Sequence, residues 1–128
     1  MIIMADSMSV DQGEPVVDEL ALVAALADDL GVPARPVRRV QHDGGPTPIS
    51  ALQWGGARPT IVLLHGGSLN AHAWDAMLLL HPELDALALD LPGHGHSGWF
   101  DDPVYLPDDL ADAVVRQMRD AIIDNDLK

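Results

Sequence analysis

The chain has 128 residues, with 20 Asp and Glu against 7 Lys and Arg and a formal charge of −13. That length suits one domain, and 48% apolar residues place it among globular rather than disordered chains. Phosphate backbones and anionic lipid surfaces repel so acidic a surface, which argues against nucleic acid and membranes as partners.

No cysteine is present, so disulfide and thiolate chemistry are excluded, which is compatible with a cytoplasmic location. The opening "MIIMADSMSV" lacks the basic start and long apolar stretch of a signal peptide. Nowhere do about 18 uninterrupted apolar residues occur, the length a membrane span needs.

Residues 1–15 are polar and acidic, and a mobile tail is expected there. A helix is expected within 16–34. Val16, Leu20, Val23 and Leu30 fall near one face with Leu26 and Ala27 beside it, and Gly31 and Pro33 end the pattern. Its polar side carries only acids, the pattern of an amphipathic surface helix. Residues 36–42 and 49–54 read as two short strands joined by the turn chemistry of "DGGPTP", hence a hairpin. Arg35, Arg38, Arg39 and Arg58 gather here and are expected on a solvated strand face.

"TIVLLH" (60–65) is a continuous apolar run without alternation, the pattern of a strand buried on both faces. Residues 70–80 suit a helix with Ser68 or Asn70 as its N-cap, stopped by His81-Pro82. "ELDALALDLPG" reads as a second buried strand ending near Asp90. Residues 60–92 are thus a strand–helix–strand unit, which implies parallel pairing through a right-handed crossover. A loop rich in Gly and Pro follows, and then a helix over about 107–124. Pro107, Asp108 and Asp109 stand in its first turn, and Leu110, Val114, Met118 and Ile122 form its apolar stripe.

The turn His65-Gly66-Gly67 sits where a strand opens into a helix. Glycine lets backbone pass close to a ligand, and the helix start offers unpaired N–H donors. Donors aimed at an oxygen that gains negative charge are what acyl transfer needs. Taken alone, the turn reads equally well as an ordinary strand–helix connection with His65 as a local hydrogen-bonding residue. Together with "LDALALDLPGHGHSG", however, "TIVLLHGGSLNAHAW" resembles the N-terminal half of the α/β-hydrolase family, over about Val37 to Ile122. His65-Gly66-Gly67 resembles the family's oxyanion turn after the third strand. Asp90 to Ser97 resembles its D-x-x-G-x-G-x-S turn after the fourth.

The resemblance implies a partial α/β-hydrolase fold over 35–128: a hairpin, a parallel strand–helix–strand unit and a following helix, with an extra N-terminal helix. It implies that the backbone N–H of Gly67, with Ser68 as the alternative, donates to the oxyanion, supported by His65 and Gly66. Trp74 would stand near the pocket wall or pack beneath it, and Trp99 and Phe100 would line the entrance, plain packing being an equal reading for each. The family's nucleophile elbow, G-x-S-x-G, is absent, and with it the acid and base that follow later in the family. No catalytic residue is therefore identified. The expected function is hydrolysis of an ester, amide or related bond by a truncated chain inactive by itself, acting on a small-molecule substrate once a C-terminal half completes it. The alternative is a small non-catalytic α/β binding or interaction domain. Without a fifth strand, 60–65 would present an unpaired apolar edge, a site for self-association.

Three decoys fall away. Gly95-His96-Ser97-Gly98-Trp99 has Trp where the elbow's second Gly belongs. Gly93-x-Gly95-x-x-Gly98 matches a dinucleotide fingerprint but opens no helix, so no nucleotide cofactor is expected. His94 with His96, or His65 with His72, falls short of the three or four ligands a zinc site needs, so no metal is expected either.

Overall fold

The computed structural model describes residues 18–43, 47–56, 58–101 and 107–119. The expected tail at 1–15, the tip of the hairpin turn and the helical extension past residue 119 lie outside them.

The first helix, α1, spans Glu19–Leu30. Asp18 caps it by accepting from the Leu20 amide, and Gly31, at φ 70°, closes it in the left-handed conformation that L side chains avoid. Strands β1 (Val37–His42) and β2 (Ile49–Trp54) form the expected antiparallel hairpin, with Val37 opposite Trp54 and His42 opposite Ile49. Strand β3 (Ile61–Leu63) is followed by a 3-10 turn (Ala71–Trp74), helix α2 (Asp75–Leu80) and strand β4 (Ala86–Leu89). Asn70, not Ser68, is the cap, accepting from the His72 amide. Helix α3 begins at Pro107 and runs to Met118.

The sheet order is β1-β2-β4-β3, with β4 antiparallel to β2 and parallel to β3. The strand–helix–strand unit therefore pairs in parallel as expected. Period-2 alternation sends the two faces of the sheet to different helices. Leu52, Trp54, Ala86 and Ala88 face Val23 and Ala27 of α1 and Leu78 and Leu79 of α2. Val40, Ile49, Ala51, Leu87 and Leu89 face Val114 of α3. The sheet is thus covered on both sides, the arrangement of α/β domains.

Two expectations are corrected. The run 60–65 is a three-residue strand, only half-buried along Ile61–Leu63. It lies at the end of the sheet order and pairs with β4 alone, so one flank lacks a covering strand among the described residues. The arginines do not share a solvated strand face. Arg38 is exposed, but Arg35 donates from Nη1 to the Leu78 carbonyl (2.6 Å) and from Nη2 to that of Leu84 (2.6 Å). Its guanidinium stands 5.5 Å from the centre of the Trp54 ring. Arg39, on the same face of the sheet, reaches Glu19 and Asp90 in the site described next.

Candidate active-site turn

Strand β4 delivers Asp90 to the end of the sheet with its side chain buried. A buried carboxylate is costly unless paired and hydrogen-bonded, and this one is fully engaged. Oδ1 accepts from the Ala71 amide (2.7 Å), and Oδ2 accepts from Arg39 Nη1 (2.6 Å) and the His96 amide (2.9 Å). It thereby ties together β1, the start of the 3-10 turn and the loop after β4. Gly95, at φ 51°, comes so close that a Cβ there would overlap the Asp90 carboxylate.

Ser97 belongs to the same framework. Its hydroxyl donates to the Asp90 carbonyl (2.5 Å) and accepts from the Ser50 amide (2.8 Å), pinning the loop to β2. A buried hydroxyl committed in both directions is structural, which agrees with setting Ser97 aside as a nucleophile.

The turn at 65–68 is organised by its histidine. His65 is buried, and its Nε2 accepts from the Leu91 amide (3.0 Å). That fixes the proton on Nδ1, which donates to the Gly66 carbonyl (2.7 Å). The Leu69 amide donates to the same carbonyl (3.3 Å). In a trans peptide the C=O and the following N–H point in opposite directions. Holding the Gly66 carbonyl towards the imidazole therefore turns the Gly67 N–H away from it. Gly66, Gly67 and Ser68 are exposed, and among the described residues their amides donate to no protein acceptor. Ser68 adopts φ 65°, the one non-glycine at positive φ among the described residues. Such a conformation typically costs about 1–3 kcal/mol.

The aromatic candidates divide. Trp74 is partly buried and packs against the core shared by α1 and α2. Trp99 is 69% exposed and Phe100 half-buried, on the loop that Thr47 holds by donating to the Trp99 carbonyl (3.2 Å). His94 stacks obliquely on His65, ring centres 5.0 Å apart. His72 lies apart from His65, its two ring nitrogens taken by Asp75 and Glu19.

The roles of four residues of this region escape the sequence reading. Glu19 binds Arg39 through two hydrogen bonds, Nη2 to Oε1 at 2.5 Å and Nε to Oε2 at 3.1 Å. That guanidinium holds the Glu19 carboxyl down to about 2. Burial pushes the Asp75 carboxyl up, against the pull of His72. Asp90 was seen only as part of a motif, without its bonds. A signal for Arg39 was available: in "VRRVQH" it alternates onto the same face as Val37, towards α1.

Comparison with known proteins bears on the whole arrangement. Residues 61–127, which is 67 of the 128, match the sequence model of the alpha/beta hydrolase family. Over 92 residues the chain is 50% identical to the esterase Rv0045c of Mycobacterium tuberculosis, covering 70% of this chain and 29% of that protein. It is 40% identical over 73 residues to a pimeloyl-[acyl-carrier protein] methyl ester esterase of Pectobacterium atrosepticum, covering 54% of this chain and 28% of that one. A crystal structure of the M. tuberculosis esterase superposes with a TM-score of 0.71 at 44% identity, covering 83% of this chain and 37% of the other. An epoxide hydrolase of Acinetobacter nosocomialis, 16% identical, shares the fold with a TM-score of 0.61 over 88% of this chain and 38% of its own. The chain thus spans less than a third of the curated relatives it matches. With the family model matched over more than half of its length and the fold shared with these hydrolases, the chain belongs to the alpha/beta hydrolase family.

Proposed function

We propose that this chain forms the oxyanion-binding portion of a hydrolase for ester, amide or related bonds, with Gly67 N–H as the principal donor and Ser68 N–H beside it. Nucleophile, acid and base come from residues outside these 128, so the chain by itself turns over no substrate. The observation that carries this reading is the fixed peptide plane between Gly66 and Gly67. His65 holds the carbonyl, and the amide, turned away from the imidazole, has no protein acceptor among the described residues. A donor oriented before reaction stabilises a tetrahedral oxyanion without reorganising when the charge develops. The positive φ of Ser68 supports the same reading, since backbone strain persists where a site requires it. An ester is the first substrate class to try, because two of the similar proteins are esterases.

The test is a chimaera in which residues 35–119 replace the matching segment of the M. tuberculosis esterase, assayed on a p-nitrophenyl ester. A Cβ at Gly67 meets nothing within 4 Å, so Gly67→Ala keeps both fold and donor and stays active. Gly67→Pro removes the N–H and lowers kcat by about 10²–10³-fold. Equal activity of the two variants contradicts the assignment, as does hydrolysis above background by residues 1–128 alone.

A further inference from the structure

Outside the turn, the most densely charged cluster joins α1 to the residues just after it. His72 Nε2 lies 2.6 Å from Glu19 Oε1, and Nδ1 lies 2.6 Å from Asp75 Oδ2. Both partners are acceptors. A neutral imidazole carries one N–H, and its other nitrogen would then set a lone pair against a carboxylate at hydrogen-bond distance. With both carboxyls ionised, only the imidazolium satisfies both contacts. We propose that Glu19, His72 and Asp75 form a proton-operated clasp: the charged imidazole holds the first turn of α1 against the 3-10 turn, and the neutral imidazole lets go.

The surroundings fit such a device. From β1, Arg39 binds Glu19 and shares Asp90 of the β4 end. From the loop after β4, His96 stands 3.9 Å from Glu19 and 3.8 Å from Asp90. With His72 charged, the carboxylates of Glu19, Asp75 and Asp90 face the two cations His72 and Arg39, leaving a net −1. Losing the proton leaves −2 in a chain that already carries −13. Burial is the largest influence on His72 and disfavours its charge, but the hydrogen bonds and charges of Asp75 and Glu19 together outweigh it. The result is a raised pKa. A raised histidine pKa stabilises the folded contact below the ordinary histidine range, and that stabilisation is lost as pH rises through the folded value. Glu19 stays ionised throughout this window. Val23, Ala27 and Ala71 stay packed and Arg39 keeps its hold on Glu19, so release is confined to the clasp contact and to residues 72 and 73. Ala71 is tied to Asp90 and follows the 65–68 turn by three residues. As a control on oxyanion binding the clasp rests on the reading above; as a structural device it does not.

The test is a titration of the whole chain by NMR, following the His72 ring and the amide protection factors of His72 and Ala73 from pH 5.5 to 9.5. The expected result is a doubly protonated ring at low pH and one transition above the ordinary histidine range. Protection at 72 and 73 falls about tenfold for each unit by which the midpoint exceeds that range. Glu19→Gln moves the midpoint down, and His72→Gln flattens the protection profile. A His72 midpoint at or below the ordinary range, or protection independent of pH, overturns the proposal from the unsubstituted chain alone. Neither readout involves ester hydrolysis, so an inactive chimaera would leave the clasp standing, and a flat titration would leave the oxyanion reading standing.

Discussion

Asp90 concentrates more of this structure in one side chain than any neighbour in the site. Three donors from three segments converge on it, one of them a guanidinium 2.6 Å away. Removing the carboxylate leaves the Ala71 and His96 amides without an acceptor while Arg39 keeps Glu19, and a buried donor left unsatisfied typically costs about 1–3 kcal/mol. Asp90→Ala is therefore expected to lower the unfolding free energy by that order, read from denaturant midpoints. The D-x-x-G-x-G motif shows in sequence, but its physical content does not. Nothing in the residue order says that Gly95 must fold back within contact of a carboxylate five residues earlier. His65 is comparable. The sequence marks it as a turn histidine, while its tautomer is set by the Leu91 amide, 26 residues away.

At the scale of elements, caps and periodicity were largely readable. Gly31 closes α1, Asn70 opens the 3-10 turn and His81-Pro82 ends α2, each for a local steric or hydrogen-bonding reason. The end of α2 also depends on a distant residue. Arg35 places its guanidinium on the carbonyls of Leu78 and Leu84, where the unpaired groups and negative dipole end of a helix gather. Arg35→Met keeps much of the stem packing and loses these bonds. It is expected to cost about 1.5–3 kcal/mol in thermal or denaturant unfolding, the range for hydrogen bonds to a charged group. An effect within about 0.5 kcal/mol, as for an ordinary surface site, would return Arg35 to the solvated face first expected of it. The helix 107–124 was foreseen in its start and in Val114, which is buried against the sheet. Met118 and Ile122 of its stripe lie outside the described side chains.

Across the whole molecule, strand order decides how the chain behaves. β3 closes one end of the sheet with its outer flank uncovered among the described residues, and Leu64 beside it is 44% exposed. Unpaired strand edges recruit other strands. The isolated chain is expected to associate with rising concentration in sedimentation velocity, and Leu64→Lys is expected to shift it towards monomer. A monomer at every concentration would show that the edge is protected. The sequence by itself determined the elements, the parallel crossover and the family, because hydrophobic period, capping residues and glycine placement are properties of neighbouring residues. Only the tertiary structure decided where Arg35, Arg39, Glu19 and His72 spend their charges and which way the Gly67 amide faces. Apart from the His72–Asp75 contact, those outcomes depend on partners 20 to 53 residues apart, which pair through space and leave no periodic trace along the chain.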